Sequence, residues 1–384
     1  MGKIGAAVVG TGFIGPVHVE AIRRLGHHVV GILGSSPEKS RRSADSLGLE
    51  KAYPSLAELL ADPAVAVVHL ASPNRHHYSQ CQQVLAAGKH LICEKPLAAT
   101  RAETVDLVRL AAQTPVITAV NYNIRFYPLC LEARELIRSG SLGSVFHITG
   151  SYLQDWLLYP TDFNWRVLAE EGGELRAVAD IGTHWLDLIT FITGLEVEAV
   201  CADLSTVHPI RQRPRGGVET FQNPAESRGE TEAVAVSTED YGSILLRFRG
   251  GVKGCLSVSQ VTAGRKNALS FEIATERASL AWHSEEPNTL QLGTREHGRL
   301  QRPRDPGSLA ANIRSFSNYP AGHAEGFPDS FKQLYRAVYT DIERGKPSGE
   351  PLYATFTDGH REVCFCDAVL RSHREQRWVM VDNA

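Results

Sequence analysis

A chain of 384 residues that is 43% hydrophobic has enough apolar surface for more than one core, so two domains are expected. A formal net charge of -3 without a long basic tract excludes general nucleic-acid binding, and no apolar run approaches the ~20 residues a bilayer span needs. Seven cysteines lacking metal-ligand spacing, and a Met1-to-Gly5 start that enters a strand without a signal-peptide pattern, lead to the expectation of a soluble cytoplasmic protein with reduced thiols and no metal.

Lys3 to Val9 reads as a first strand, followed by Gly10-Thr11-Gly12-Phe13-Ile14-Gly15 and a helix opened by Pro16 that runs to Leu25. This is a G-x-G-x-x-G fingerprint in a strand-turn-helix setting. There Gly10 permits the tight turn and Gly12 leaves room for a pyrophosphate to approach the backbone. Gly15 lets helix and strand pack closely, and the main chain through Phe13 and Ile14 faces the phosphates at the helix N-terminus. The second strand, His28 to Leu33, ends on Gly34-Ser35-Ser36-Pro37-Glu38-Lys39, where NAD-specific folds place an acidic residue about 20 residues past the fingerprint. Gly34 cannot bond a ribose. Ser35, Ser36 and Lys39, with Arg41 or Arg42, suit a 2′-phosphate instead, so of the two NAD(P) cofactors NADP is favoured over NAD. The same residues also read as a helix start, with Ser36 capping and Pro37 in the first turn; both readings hold together.

Ser55 to Glu58 and Thr100 to Glu103 are capping boxes that open helices. Val65 to Ala71 is a strand whose tip, Ser72-Pro73-Asn74-Arg75-His76-His77, belongs beside the cofactor. His90 to Cys93 is a buried strand that stops on Glu94-Lys95-Pro96. In an open α/β sheet ligands bind outside the carboxyl ends of the strands, and Pro96 restricts the backbone of Lys95. The competing reading is a solvated surface Glu-Lys pair. Val116 to Val120 is a further strand and leads into Asn121-Tyr122-Asn123. Strand and helix in strict turn predict a doubly wound, parallel Rossmann sheet over residues 1–122.

Over residues 123–384 the pattern changes. After a helix from Pro128 to Ser139, strands are expected at Val145–Leu153, Glu196–Leu204, Thr231–Thr238, Ser243–Phe248, Val252–Val261, Ala268–Thr275 and Ala278–His283. Their tight turns predict an α+β domain with a large, mainly antiparallel sheet. Helices Asp329–Arg344 and Thr355–Arg374 cover that sheet or return to the first domain, and residues 205–229 read as a surface loop or oligomer arm. Within Ala179-Asp180-Ile181-Gly182-Thr183-His184, Asp180 and His184 are four apart and share a face if one helix holds both. A histidine there is a packed core residue, or a general base whose basicity the carboxylate raises. With Asp187 they lack the further ligands of a metal site.

The fingerprint at Gly10, Gly12 and Gly15, the Ser72-Pro73-Asn74 tip with His77, the Glu94-Lys95-Pro96 stretch and the Asp180-x-x-x-His184 stretch occur in this order. As a set they resemble the glucose-fructose oxidoreductase, inositol dehydrogenase and rhizopine catabolism family, Gfo/Idh/MocA. The resemblance implies a Rossmann domain joined to a mostly antiparallel α/β domain. It also implies an NAD(P)-dependent oxidoreductase acting on a ring hydroxyl of a sugar or cyclitol, or the reverse reduction; the broad sheet face of the second domain suits the subunit interface of a homo-oligomer. The family's lysine falls on Lys95, its acid on Asp180 and its histidine on His184, which implies that His184 takes the hydroxyl proton while Lys95 stabilises the oxygen. One departure is the loop after Gly172-Gly173, which family members often build with a glycine cluster nearer the aspartate. Asp155, Trp165 and Arg166 suit pocket walls for a sugar or a tryptophan-anchored loop, and Asn123 and His323 are further candidate substrate contacts. A reductase of keto-sugars and a ligand-sensing protein without turnover are the competing functions; retention of Lys95, Asp180 and His184 together argues against the sensor.

Overall fold

The computed structural model describes residues 2–215 and 230–383, and the chain divides into two units, Met1–Asn123 with Pro328–Val363 and Ile124–Phe327 with Cys364–Ala384.

In the first unit, β1 (Gly5–Val9), α1 (Ile14–Arg24), β2 (His28–Leu33), α2 (Pro37–Leu47), β3 (Lys51–Tyr53) and α3 (Leu56–Ala61) alternate. They are followed by β4 (Val67–Leu70), α4 (His77–Ala86), β5 (His90–Cys93), α5 (Arg101–Ala112) and β6 (Thr118–Val120). The six strands form one parallel sheet in the order β3-β2-β1-β4-β5-β6, the doubly wound order that places ligands at the strand carboxyl ends. Each residue of β4 is buried, as expected of a strand covered on both faces. Local chemistry sets the helix starts. The Ser36 hydroxyl accepts from Lys39 N with Pro37 in the first turn, and Thr100 and Glu103 complete a reciprocal capping box. Ser55 makes only its own half, accepting from Glu58 N while Glu58 turns to the Ser55 hydroxyl. Helix α1 begins at Ile14, two residues before the expected Pro16, because Pro16 is tolerated within the first turn where its missing N–H has no intrahelical partner.

In the second unit, α6 (Pro128–Arg138), β7 (Val145–Leu153), α7 (Ala169–Gly172), α8 (Thr183–Thr193) and β8 (Val197–Ser205) come first. Then follow β9 (Ile210–Pro214), β10 (Thr231–Ala235), β11 (Tyr241–Phe248), β12 (Lys253–Ser259), β13 (Ala268–Thr275), β14 (Ser279–His283), β15 (Thr289–Thr294) and β16 (Gly298–Pro303). The chain ends on α9 (Phe327–Arg344), which contributes Pro328–Arg344 to the first unit, α10 (Phe356–Glu375) and β17 (Val379–Met380). Nine strands form a sheet in the order β16-β15-β14-β13-β7-β12-β11-β8-β17. Its pairs are antiparallel except β7 with β12, which run parallel. Helix α8 lies on this sheet: Trp185 is fully buried and donates its Nε1–H to Ser270 O at 2.9 Å. Gly150 makes that possible, since a Cβ there would stand 2.2 Å from Trp185 Nε1.

Three expectations for this unit are corrected. The strand near Thr231 does not join the large sheet but pairs antiparallel with β9, inside the stretch expected to be loop; the remaining residues of that stretch, 216–229, lie outside the described residues. Strands β15 and β16 extend the sheet where none was expected, because most of β16 is exposed and polar and lacks the apolar alternation that marks a strand. Asp180 does not sit in the α-helix of His184: Val178–Gly182 is a wider π-turn that leads into α8.

Candidate active site

At the fingerprint the main chain dictates the residues. Gly10 has φ +123, and a Cβ there would lie 2.3 Å from Ala71 O, where the tip of β4 crosses behind the turn. A Cβ on Gly15 would lie 2.2 Å from Gly10 O. At Gly12 a Cβ would meet nothing within 4 Å, so the protein itself does not require glycine there; open space is what an approaching phosphate needs. Helix α1 starts beside this space with Phe13 at its N-cap, no side-chain cap and no acidic residue in its first turn, an arrangement suited to an anion. These features fit a dinucleotide pyrophosphate, which the main chain from Gly12 to Gly15 would hold.

At the tip of β2, Gly34 N donates to Ser40 Oγ at 2.8 Å, and a Cβ on Gly34 would press on Lys39 Cβ and Ser40 N at 3.0 Å and on Thr11 Cγ2 at 3.1 Å. Ser35 and Lys39 are exposed beside it, and the Glu38 carboxylate pairs with Arg41 at 3.4 Å. The hydroxyl of Ser36 is engaged in its cap at 3.3 Å.

Two further strand tips are tied together by His77. The Ser72 hydroxyl donates to Gln80 Oε1 at 2.5 Å, Pro73 is exposed, and Asn74 opens a single 3-10 turn. His77 is fully buried, with Nδ1 2.7 Å from Pro96 O and Nε2 2.9 Å from Ser72 O. Expected as a cofactor contact, it instead has both ring nitrogens against main-chain carbonyls, so it links the β4 tip to the β5 tip. Burial lowers its pKa, partly opposed by those carbonyls. At the β5 tip, Lys95 is half-buried, its backbone N–H donates to Glu94 Oε2 at 3.2 Å, and the Lys95-Pro96 bond is cis. Burial pushes the Glu94 carboxyl up, but His18, Lys95 and Asn121 together bring it below its ordinary value. Asn123, also in this unit, is buried and donates to Ser330 Oγ at 2.7 Å.

In the second unit side chains assemble the site. Asp180 receives Gln260 Nε2–H on Oδ2 at 2.9 Å, and Arg166 Nε stands 3.6 Å from its Oδ1. The Arg166 guanidinium also lies over the Trp165 ring at 4.5 Å, and Asn164 Oδ1 accepts from both Arg166 N and Nη1 at 3.2 Å. Three expected residues, Trp165, Arg166 and Asp180, are thus neighbours. The start of the π-turn is gripped by the buried Glu239 carboxylate, which accepts from Val178 N at 2.8 Å and from Arg176 N at 3.0 Å. Burial raises the Glu239 carboxyl against these N–H groups. His184 is half-buried in the first turn of α8, with the Tyr152 ring 6.3 Å away and roughly edge-on. Asp187 is buried and bonded by Arg125 Nε at 2.8 Å.

The other expected residues of this unit make contacts of their own. Asp155 accepts from Lys266 Nζ at 2.7 Å and Gly264 N at 3.0 Å. His323 is exposed on a loop whose carbonyls at Tyr319 and Pro320 hold Arg304 at 2.8 and 3.0 Å. Gln260 and Glu239, which hold Asp180 and its turn, carry no spacing that points to them in the sequence, being some 80 and 60 residues away in a different part of the sheet. Among the described residues no cluster of His, Cys, Asp or Glu could hold a metal, and no helix is long and apolar enough to cross a membrane.

Comparison with known proteins matches two successive stretches of the chain. Residues 4–122 match the oxidoreductase family with an NAD-binding Rossmann fold, and residues 130–281 match the GFO/IDH/MocA C-terminal domain. The chain is 26% identical over 407 residues to levoglucosan dehydrogenase of Pseudarthrobacter phenanthrenivorans, covering 99% of both chains. It is 28% identical over 377 residues to myo-inositol 2-dehydrogenase of Thermotoga maritima, covering 98% of both. A solved structure of levoglucosan dehydrogenase in complex with NADH and L-sorbose matches with a TM-score of 0.89 at 25% identity, over 100% of both chains.

Proposed function

The chain belongs to the Gfo/Idh/MocA family of NAD(P)-dependent oxidoreductases, and on that premise we propose that it oxidises a ring hydroxyl of a sugar, glycoside or cyclitol to a ketone. The observation that carries this reading is the grouping of Asp180 with Arg166 and Trp165: a partly open carboxylate, guanidinium and aromatic face, the set of contacts a polyol ring uses. A nicotinamide cofactor would supply the acceptor for the hydride that leaves the reacting carbon. His184 takes the hydroxyl proton, and Lys95 donates a hydrogen bond to the oxygen as negative charge develops on it. Asp180, held by Gln260 and Arg166, keeps a fixed acceptor for a substrate hydroxyl. Trp165 and Arg166 are retained as pocket walls, whereas Asn123 and Asp155 spend polar atoms on Ser330 and on Lys266, and His323 is given no role.

We assign the preference to NADP, because Ser35 and Lys39 stand exposed at the β2 tip and Glu38 is turned to Arg41. Ser35→Asp tests this better than a substitution at the crowded Gly34; it is expected to weaken NADP relative to NAD by about tenfold through repulsion of the 2′-phosphate. The exposed side chains of Tyr241 and Leu245 on β11 support a subunit contact on that face, to be checked by light scattering. The function itself is tested by a panel of sugars, glycosides and cyclitols followed by nicotinamide absorbance with each cofactor. Turnover of at least one ring alcohol with a pH-dependent rate that flattens in His184→Ala is expected; a silent panel, or an unchanged pH profile in that variant, removes the assignment.

A further inference from the structure

Behind the Glu94-Lys95 tip, α1, β4 and α9 enclose a set of polar rings that the proposed reaction does not use. His18 of α1 and His69 of β4 are fully buried. Their rings meet at 88°, with Nδ1 facing Nδ1 at 2.9 Å. His18 Nε2 lies 3.2 Å from Glu94 Oε1, His69 Nε2 lies 3.0 Å from the Tyr339 hydroxyl, and the Tyr335 hydroxyl lies 2.8 Å from His18 Nδ1. Facing the cluster are these tyrosines and Phe331 from α9, Asn121 after β6, and Glu94 with Lys95 after β5. At its outer end His27 stacks on Tyr339 at 4.5 Å and feels the charge of Glu343.

Counting protons decides how the cluster is wired. Two ring nitrogens 2.9 Å apart share one proton, since two would collide and none would set lone pair against lone pair. A carboxylate only accepts, so at Glu94 the proton belongs to His18 Nε2. With a single ring proton, His18 then offers a lone pair at Nδ1, and the shared proton is carried by His69. That leaves His69 Nε2 as an acceptor, to which the Tyr339 O–H donates. A third ring proton on the pair would place an imidazolium in this dry site and reverse the last two links. Burial opposes that: it pushes His69 well below its ordinary value, and His18 adds to the effect.

We propose that His18 and His69 are positioning residues: a one-way hydrogen-bond chain from Tyr339 through His69 and His18 holds the Glu94 carboxylate charged and in place beside Lys95. One carboxylate oxygen is gripped by His18 and Asn121, and the other receives the Lys95 backbone N–H at 3.2 Å. The chain therefore fixes the main chain from which the Lys95 side chain departs. The positioning role rests on the reading of Lys95 given above; the wiring does not.

The wiring is read in the full-length protein labelled with 15N-histidine, with ring signals assigned from single-histidine variants. His69 is expected to carry its proton on Nδ1 and to stay neutral across roughly pH 5 to 8, where an unperturbed histidine changes charge; His18 is expected to carry its proton on Nε2 at neutral pH. A proton on His69 Nε2, or a His69 that titrates in that window, overturns the chain. For the positioning role, His18→Ala is expected to lower kcat/KM about tenfold and to raise the ionisation of the Glu94 carboxyl, followed by 13C-carboxyl titration, because Glu94 loses a donor that favours its charged form. His18→Gln, which restores a side-chain N–H, is expected to recover most of the loss. Equal damage in both variants, or an unmoved Glu94 ionisation, overturns the role. Wild-type turnover in Lys95→Ala with the expected nitrogen signals would instead sink the reading of Lys95 and leave the wiring standing.

Discussion

Gly10 and Asp180 both stand at the entry to a helix, and they are held in opposite ways. Gly10 is placed by the main chain: its φ of +123 and the carbonyl of Ala71, 2.3 Å from where a Cβ would be, leave no choice of residue. Asp180 is placed by side chains, Gln260 and Arg166 on its carboxylate and Glu239 on the turn that carries it. The π-turn itself is a register change in the helix, a feature often found at functional sites. A site dictated by backbone geometry leaves a spacing in the chain. One gathered by distant side chains leaves none.

The largest expected effect separates the two glycines of the fingerprint. Gly10→Ala should cost about 3 kcal/mol, from backbone strain and the clash with Ala71, and should lower the melting temperature accordingly. Gly12→Ala, in open space, should change stability by no more than about 0.5 kcal/mol while weakening dinucleotide binding in calorimetry. A Gly12 variant that melts early while the Gly10 variant does not would break the main-chain account.

Next in size is Lys95→Ala, for which turnover should fall at least about a hundredfold, equivalent to about 2.7 kcal/mol of transition-state stabilisation, with dinucleotide affinity kept. Steady-state kinetics beside a binding titration checks both halves. On the side-chain-built site, Gln260→Leu removes the donor to Asp180 and should lower kcat/KM about tenfold, as a hydrogen bond to a charged group is worth about 1.5 to 3 kcal/mol. Its stability should hold, because Gln260 Oε1 is buried without a partner among the described residues and leucine removes that unsatisfied atom. An unimpaired Gln260→Leu enzyme would mean that Arg166 alone holds the carboxylate.

The smallest effect concerns pH and stability. Burial holds His69 well below its ordinary value, so as pH falls the unfolded chain takes up the proton first. The contribution of His69 is therefore complete above the unfolded value of about 6.5 and is lost as pH falls below it. His69→Leu should reduce the loss of stability between about pH 6.5 and about pH 5 by about 1 kcal/mol, measured by urea unfolding at the two pH values. An identical slope in the variant would show that His69 is protonated in the folded protein.

What the sequence determined by itself is the first sheet and the residues at its strand tips. Alternating apolar runs, helix caps at Ser36 and Thr100 and the spacing of Gly10, Gly12 and Gly15 are local matters of backbone geometry and solvation, and they reappear in β1 to β6 in the doubly wound order. Lys95 was legible for the same reason, as the residue between a buried strand and a proline. The tertiary structure alone decided the pairing of β9 with β10, the polar edge strand β16 and the π-turn under Asp180. It also decided that His18, His69 and Tyr339, read as ordinary members of helices and a strand, would meet behind Glu94. Those outcomes depend on which side chains, tens to hundreds of residues apart, arrive at the same few ångströms. A hydrogen bond is satisfied by its partner's position in space, and position in the chain carries no record of that.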